Sequence, residues 1–150
     1  MPDQTDENKI QPIGYWTGEA YRRIAGAIRK SLAAEGLTQP QWWTLNHVAN
    51  GEWTRGSLVE KLAPFSANEQ GLEVDEELDG LLERGWVTHD ASTEKLSLTT
   101  TGEEHRQRAW ERNRATHRAM LDGVSDAEYD DCISVLQRVV GNLGGDPSPH

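Results

Sequence analysis

The 150-residue sequence has a single cysteine, Cys132, and no long apolar stretch. One cysteine cannot form an internal disulfide, so the chain does not have the make-up of a disulfide-stapled secreted domain. Charged residues interrupt every hydrophobic run before it reaches the roughly 18 apolar residues that a membrane-spanning helix needs. The first residues also lack the basic and apolar stretches of a secretory signal. We therefore expect one soluble, cytoplasmic domain with no membrane partner.

Positive charge is scarce as well. The chain has 15 Lys and Arg residues against 25 Asp and Glu, a net charge of -10 and a pI near 4.9. Such a balance argues against a polyanionic partner such as nucleic acid. The charges are unevenly spread, however, so the sign of the surface that meets a partner matters more than the sum.

The patterns of catalytic and metal sites are also missing. We find no nucleophile elbow, phosphate-binding loop, metal-ligand spacing or isolated pair of carboxylates. The five histidines form no pair at three- or four-residue spacing. Cys132 lies on the apolar stripe of a predicted helix beside Asp130 and Asp131, unlike the electropositive setting of a reactive thiol. We predict a protein that is not an enzyme, holds no metal or cofactor, and buries Cys132 as filler.

Polar segments without periodicity flank the body of the chain at residues 1–12 and 144–150, and we expect both to be flexible. No repeat or linker divides the residues between them, so 13–143 is predicted to form one domain. Within it, apolar residues recur every four positions from 14 to about 35, which predicts a long amphipathic helix. The stripe consists of Trp16, Ala20, Ile24, Ile28 and Leu32.

Capping patterns mark the starts of three further helices. In a capping box, two residues three positions apart each accept a hydrogen bond from the other's backbone N–H. Three pairs have this spacing: Thr38 with Gln41, Ser57 with Glu60, and Ser125 with Glu128. They predict the starts of the second, the third and the last helix.

Between the third and the last helix, the sequence predicts a helix, a hairpin and a charged helix. Leucines on one side of residues 68–83 indicate the fourth helix. Residues typical of strands at 86–88 and 95–99 indicate a two-stranded hairpin. The charged fifth helix follows from 101 to about 121. The expected fold is therefore mainly α with a small β-wing.

Four phrases add a specific resemblance to this order of elements. They are residues 37–42 (LTQPQW), 78–87 (LDGLLERGWV), 98–102 (LTTTG) and 121–128 (LDGVSDAE). In order and spacing they resemble the MarR family of bacterial transcriptional regulators over about residues 13–143. The resemblance implies a winged helix-turn-helix lobe at 37–102 that binds duplex DNA, flanked by dimerisation helices at 13–35 and 103–143. It also implies a homodimer, often with an effector pocket between the lobe and the dimer helices.

The predicted reading lobe departs from the family in charge. Glu73, Asp75 and Glu76 stand where the family has Ser or Thr and an Arg, and residues 66–94 contain one base among nine acids. The wing segment 92–95 (STEK) keeps only a lysine where the family has an arginine for the minor groove. Carboxylates that face phosphates add repulsion and forfeit the gain from counterion release. Two functions therefore stay open: a DNA-binding MarR-like transcriptional regulator, or a MarR-like dimer that has lost ordinary DNA binding and acts through protein–protein interaction.

Candidate DNA contacts are the basic and polar side chains in and around the predicted lobe. Arg55 and Lys61 are placed to hold phosphates at its edge, and the lysine of the wing is the remaining cation there. The full set is Arg55, Lys61, Ser66, Asn68, Gln70 and Lys95.

Aromatic residues suggest where a small aromatic effector would bind. The sequence has six tryptophans, several of them where the pocket of the family would lie. The alternative is that Trp42 belongs to the core and that Trp16 or Trp43 covers the dimer interface. The pocket candidates are Tyr15, Trp16, Trp43, His47, Trp53 and His117.

Arginines give the fifth helix a basic character. They form either a solvated face that pairs with nearby acids or a contact for the acidic lobe. The arginines are Arg106, Arg108, Arg112, Arg114 and Arg118.

Overall fold

A computed structural model describes residues 12–66 and 71–148. It contains six helices and one hairpin within these ranges. The elements are α1 (Ile13–Ala33), α2 (Gln39–Asn50), α3 (Arg55–Ser66), α4 (Val74–Glu83), β1 (Val87–His89), β2 (Leu96–Leu98), α5 (Thr100–Met120) and α6 (Asp126–Asn142). The order of four helices, a hairpin and two helices confirms the predicted mainly α fold. The predicted flexible ends lie mostly outside the described residues.

Helix α1 ends in a glycine-based cap. Gly36 has a φ of 69°, a conformation that glycine adopts without steric cost. The N–H of Leu37 donates to the carbonyl of Leu32 at 3.0 Å, which closes the helix end. Of the predicted apolar stripe, Leu32 is buried and Ile28 is half-buried, whereas Trp16, Ala20 and Ile24 are exposed.

Two of the three predicted capping boxes are confirmed. Thr38 accepts from the N–H of Gln41 at 3.3 Å, and the Gln41 side chain accepts from the Thr38 N–H at 3.1 Å. Ser125 and Glu128 make the same reciprocal pair at the start of α6, at 3.1 and 3.0 Å. Each box satisfies backbone donors that a helix start leaves unpaired.

The predicted cap of α3 is wrong by one turn. Thr54, not Ser57, precedes the helix, and its Oγ1 accepts from the Ser57 N–H at 3.2 Å. The Ser57 hydroxyl accepts in return from the Thr54 N–H at 3.0 Å. Ser57 is thus the reciprocal partner of the box, and Glu60 lies in the next turn. Both hydroxyl residues are good caps, so spacing alone did not distinguish them.

Helix α4 begins at Val74, and the predicted start at about residue 68 lies outside the described residues. Gly71 has a φ of 75° and Glu73 is extended, so residues 71–73, which were predicted to be helical, are not. The leucine pattern ran through this turn and concealed it. Three acids occupy the first turn of α4, where the helix dipole favours negative charge.

The hairpin is antiparallel and pairs Val87 with Leu98 and His89 with Leu96. A short segment before α3 extends it, because the Leu96 N–H donates to the Trp53 carbonyl at 2.9 Å and Thr54 bridges to Lys95. The wing is therefore paired through its backbone with the segment before α3. The sequence pattern did not predict this pairing.

The core of the lobe consists of leucines from α2, α3 and α4 packed against the wing. Leu45, Leu58, Leu78 and Leu81 have no exposed surface. Trp42 is 7% exposed and belongs to this core, as one of the two sequence interpretations proposed.

By its internal contacts the chain divides into two compact units, Met1–Thr116 and His117–His150. The second unit contains α6, which has no buried residue. Cys132 is exposed on this helix, so the prediction that it is buried filler is wrong. Among the described residues, no helix combines the length and apolarity needed to cross a membrane.

Candidate nucleic-acid interface

Helix α4 presents a row of carboxylates beside the wing. The exposed acids at its start and along it are Glu73, Asp75, Glu76, Asp79 and Glu83. Glu77 is the exception, since its carboxylate accepts from the Thr38 hydroxyl at 2.8 Å and its carbonyl from the Gln41 amide at 3.3 Å. One acid thus ties α4 to α2, and the others face solvent.

Arg55, the first predicted phosphate contact, is held by two of these carboxylates. Its Nη1 donates to Oδ1 of Asp75 at 2.7 Å and to the Asp75 carbonyl at 3.1 Å. Its Nη2 donates to Oδ1 of Asp79 at 2.7 Å. The Asp75 hydrogen bond, followed by that of Asp79, raises the pKa of Arg55 above its ordinary value. We call these three residues the Arg55 cluster.

Lys95, the predicted cation of the wing, is also paired. Its Nζ lies 2.8 Å from a carboxylate oxygen of Glu52. This hydrogen bond lowers the pKa of Glu52. Glu52 precedes the segment that bridges to the wing, so Lys95 is neutralised by an acid close to the start of α3. Arg55, in contrast, is neutralised by two acids of α4.

The other predicted DNA contacts differ in their surroundings. Lys61 is exposed on α3 and makes no ion pair with any residue that the structure describes. Ser66 donates its hydroxyl to the carbonyl of Ala63 at 2.9 Å, at the end of the same helix. Asn68 and Gln70 lie outside the described residues.

The tip of the wing is a tight, negatively charged turn. Asp90 accepts hydrogen bonds from the hydroxyl and N–H of Ser92 and from the N–H of Thr93, at 2.7 to 3.0 Å. These bonds, with the Ser92 hydroxyl first, lower the pKa of Asp90 to about 2. Glu94 has a φ of 61°, the left-handed region. The tip of the wing therefore presents carboxylates beside Lys95, the cation that the segment 92–95 keeps.

The aromatic pocket candidates form separate pairs in the described chain. Tyr15 contacts Trp16 edge to face on α1, where both are exposed. His47 contacts Trp53 with ring centroids 5.5 Å apart. His47 and Trp53 line a groove of about 280 Å³, whose other lining residues are Asn46, Asn50 and Gly51.

Trp43 lies beside Phe65, with ring centroids 5.5 Å apart, and its carbonyl is 2.8 Å from Nδ1 of His47. His117 belongs to the second unit, so a single pocket that contains all six candidates stays a prediction.

A larger groove of about 860 Å³ lies between the end of α2, the strand β2 and the start of α5. Its lining is mixed in charge and includes Glu52, Lys95, Glu103 and Arg106. The sequence did not predict this groove, because the end of α2 is distant along the chain from β2 and the start of α5. Among the described residues, no group of three or more His, Cys, Asp and Glu side chains is arranged to hold a metal ion.

The arginines of α5 mostly pair with acids. Arg106 binds both carboxylate oxygens of Glu103 at 2.7 and 2.8 Å, and the pKa of Glu103 falls to about 2 chiefly through this contact. Arg108 and Arg112 converge on Glu35 at 3.1 and 2.8 Å. This supports the interpretation of a face that pairs with nearby acids. The Glu35 contact joins the end of α1 to α5 and was not predicted.

No protein-family profile and no curated protein matches the sequence. Solved structures do match over most of the chain. A MarR family transcriptional regulator from Silicibacter pomeroyi is 25% identical, with 87% of this chain and 88% of that chain covered and a TM-score of 0.62. CouR from Rhodococcus jostii RHA1, bound to p-coumaroyl-CoA, is 21% identical, with 86% and 91% covered and a TM-score of 0.66. A Mycobacterium tuberculosis MarR family protein in complex with DNA is 20% identical, with 89% and 98% covered and a TM-score of 0.62.

Three helices, α2 to α4, followed by an antiparallel wing define a winged helix-turn-helix lobe. With the long helices before and after it, the chain has a MarR-like winged-helix fold. The Silicibacter pomeroyi protein is described as a transcriptional regulator and CouR as a transcriptional repressor.

Proposed function

We propose that the protein is a MarR-like transcriptional regulator that binds duplex DNA as a homodimer in the cytoplasm. The observation that carries this proposal is the lobe itself: α4 lies beside the wing with one side free of the core. A helix held in this way is the element that a winged helix-turn-helix inserts into the major groove. The similar M. tuberculosis protein in complex with DNA supports this function over one confined to protein–protein contacts.

Apolar surface on two elements supports the homodimer. On α1, Trp16 is 56% exposed and Tyr21 is 47% exposed. On α6, Ile133, Val135 and Val140 are all at least 40% exposed. Large exposed apolar surfaces of this kind are typical of protein–protein interfaces, and a symmetric pair is the commonest way to bury them.

We also propose that the dimer responds to a small aromatic effector. The groove beside His47 and Trp53 has an aromatic wall and the amides of Asn46 and Asn50, a combination that orients a ring with a polar substituent. The CouR structure bound to p-coumaroyl-CoA gives a precedent in a similar fold.

A salt-titrated binding assay on mixed fragments of the source genome tests the DNA-binding proposal. We expect retained fragments whose affinity increases as the salt concentration falls, because each neutralised phosphate releases counterions. Lys61→Gln, which removes the unpaired cation of α3, should weaken binding. It should also make the slope of log K against log salt shallower by about 1 for each phosphate that the variant no longer neutralises.

Lys30→Gln is the matched control, since it removes one exposed lysine from the end of α1, outside the lobe. It should leave the slope unchanged. Absence of binding by the folded wild-type protein at every salt concentration would contradict the proposed function.

A further inference from the structure

The Arg55 cluster leaves little of the guanidinium available to a ligand. Both N–H groups of Nη1 have acceptors in Asp75, and Nη2 donates to Asp79. One N–H of Nη2 and the Nε–H are the donors left. The cluster contains one positive and two negative charges, so it presents a net negative charge where the sequence suggests a phosphate contact.

A second pair repeats this arrangement at the wing. Lys95 is paired with Glu52, and the backbone bridge from Thr54 to Lys95 holds this pair close to the start of α3. The same short segment thus carries Glu52 and Arg55. Both candidate cations flanking the wing are neutralised by carboxylates of the same chain.

The exposure of these groups shows that the ion pairs can exchange with solvent. The Arg55 side chain is 38% exposed, and those of Asp75 and Asp79 are each 58% exposed. Exposed ion pairs of this kind contribute little to folding stability, so an external anion can compete for the arginine. Competition has a cost, however, because a phosphate that binds Arg55 leaves two carboxylates unpaired beside it.

We propose that Asp75 and Asp79 set the threshold for DNA binding by holding Arg55 in an internal ion pair. A phosphate of the duplex must compete with these carboxylates before Arg55 contributes fully to binding. The ion pair therefore lowers the affinity of the lobe for the phosphate backbone of any duplex, so tight binding needs further contacts, such as those to base edges. This inference rests on the proposed function for its ligand, although the competition itself concerns any phosphate-like anion.

The test compares two double variants of α4 that change the charge equally. Asp75→Asn with Asp79→Asn frees Arg55. Glu76→Gln with Glu83→Gln removes two exposed acids that make no ion pair with a described residue. Duplex affinity at low salt should rise at least tenfold more in the first variant than in the second. Its salt slope should also be steeper by about 2 per dimer, one phosphate for each Arg55.

Arg55→Gln completes a mutant cycle. In the wild-type background, where Arg55 is occupied, it should lower the affinity only through the two carboxylates that it leaves unpaired. In the Asp75→Asn, Asp79→Asn background it should remove the gain. Equal affinities of the two double variants, or a gain that persists without Arg55, would overturn the proposal.

Retention on immobilised heparin separates this inference from the proposed function. If the Asp75→Asn, Asp79→Asn variant elutes from heparin at higher salt than its control, and Arg55→Gln abolishes the difference, the competition is supported even if no form binds duplex DNA. If wild type binds DNA but the double variants elute together and bind DNA alike, the inference fails and the proposed function stands. Asp79→Asn alone provides a milder variant should the double replacement not fold, with the same direction expected for both readouts.

Discussion

Gly102, at the start of α5, occupies a position that admits no side chain. A Cβ built on it would overlap the carbonyl oxygen of Trp86, and its own N–H donates to the Thr99 hydroxyl at 3.0 Å. The same hydroxyl donates to the Gly85 carbonyl at 2.7 Å, so the wing and α5 meet here through backbone contacts. A larger residue must push these backbones apart.

We expect Gly102→Ala to lower the free energy of unfolding by about 1–3 kcal/mol, the usual cost of overpacking a well-packed site. Gly56→Ala is the control, because a Cβ on this exposed glycine of α3 meets nothing within 4 Å. Chemical denaturation of both variants and the wild type at one protein concentration measures the difference. Equal stability of the two variants would contradict this prediction, because it would show that the backbone around Gly102 accommodates a Cβ with no loss of stability.

At the scale of single residues, the sequence predicted contacts between residues that are close along the chain. The boxes at Thr38 and Ser125 depend on two residues three positions apart, so spacing alone predicted them. Thr54 was missed because Ser57 satisfies the same pattern. The partners of Arg55 lie 20 and 24 positions away, a separation that no helical or strand period relates.

At the scale of elements, one carboxylate joins the end of α1 to α5. The Glu35 side chain is 9% exposed and accepts from Nε of Arg112 at 2.8 Å and from Nε of Arg108 at 3.1 Å. The hydrogen bond from Arg112 is the largest cause of the lowered pKa of Glu35, and burial opposes it. The ionised form is therefore favoured in the folded state.

A lowered folded pKa means that the ionised carboxylate stabilises the fold above the unfolded pKa of about 4.3, and that this stabilisation disappears as the pH falls through the folded value. At pH 7, Glu35→Gln should lower the free energy of unfolding by about 1–2 kcal/mol. The difference from wild type should shrink steadily as the pH is lowered below about 4.

Glu111→Gln is the control, since Glu111 is 69% exposed and lies 3.7 Å from Arg114. It should change the stability by less than about 0.5 kcal/mol at either pH. A Glu35→Gln variant whose deficit does not depend on pH would contradict the assigned role of the ionised carboxylate.

The periodicity of apolar residues predicted which helices and strands form and in what order. It did not predict the residues at which they begin and end, because these depend on turns of the backbone. The leucine pattern predicted a helix over 68–83, whereas Gly71 has a left-handed conformation and the described helix begins at Val74. The bridge from Thr54 to Lys95 was not predicted, because a pairing of two single residues produces no alternation of apolar and polar residues in the sequence. Periodicity alone did not predict how the elements are arranged in space. The resemblance to the MarR family predicted the winged helix-turn-helix lobe and the helices that flank it.

At the scale of the molecule, the unpaired apolar surface of α6 is the main argument for a second subunit. None of its residues is buried, although it carries Ile133, Val135 and Val140. Ile133→Glu should place a charge within the proposed interface and shift the protein toward monomer. Ser134→Glu, one position away and off the apolar stripe, should have little effect.

Sedimentation at micromolar concentration measures this shift, with circular dichroism to confirm that both variants remain folded. If Ile133→Glu sediments as the wild type does, α6 is not part of the interface.

The negative charge of the lobe was evident from the sequence. That Arg55 and Lys95 are neutralised by acids of the same chain became evident only from their contacts in the structure.

The most direct test of a homodimer that binds DNA is sedimentation of the wild-type protein alone and with a duplex selected from the source genome. We predict that the protein alone sediments at twice the mass of the 16.8 kDa chain. At low salt, one dimer should sediment with each duplex, and raising the salt concentration should release it. A folded monomer at micromolar concentration, or a dimer that leaves the duplex free at the lowest salt concentration, would contradict the account.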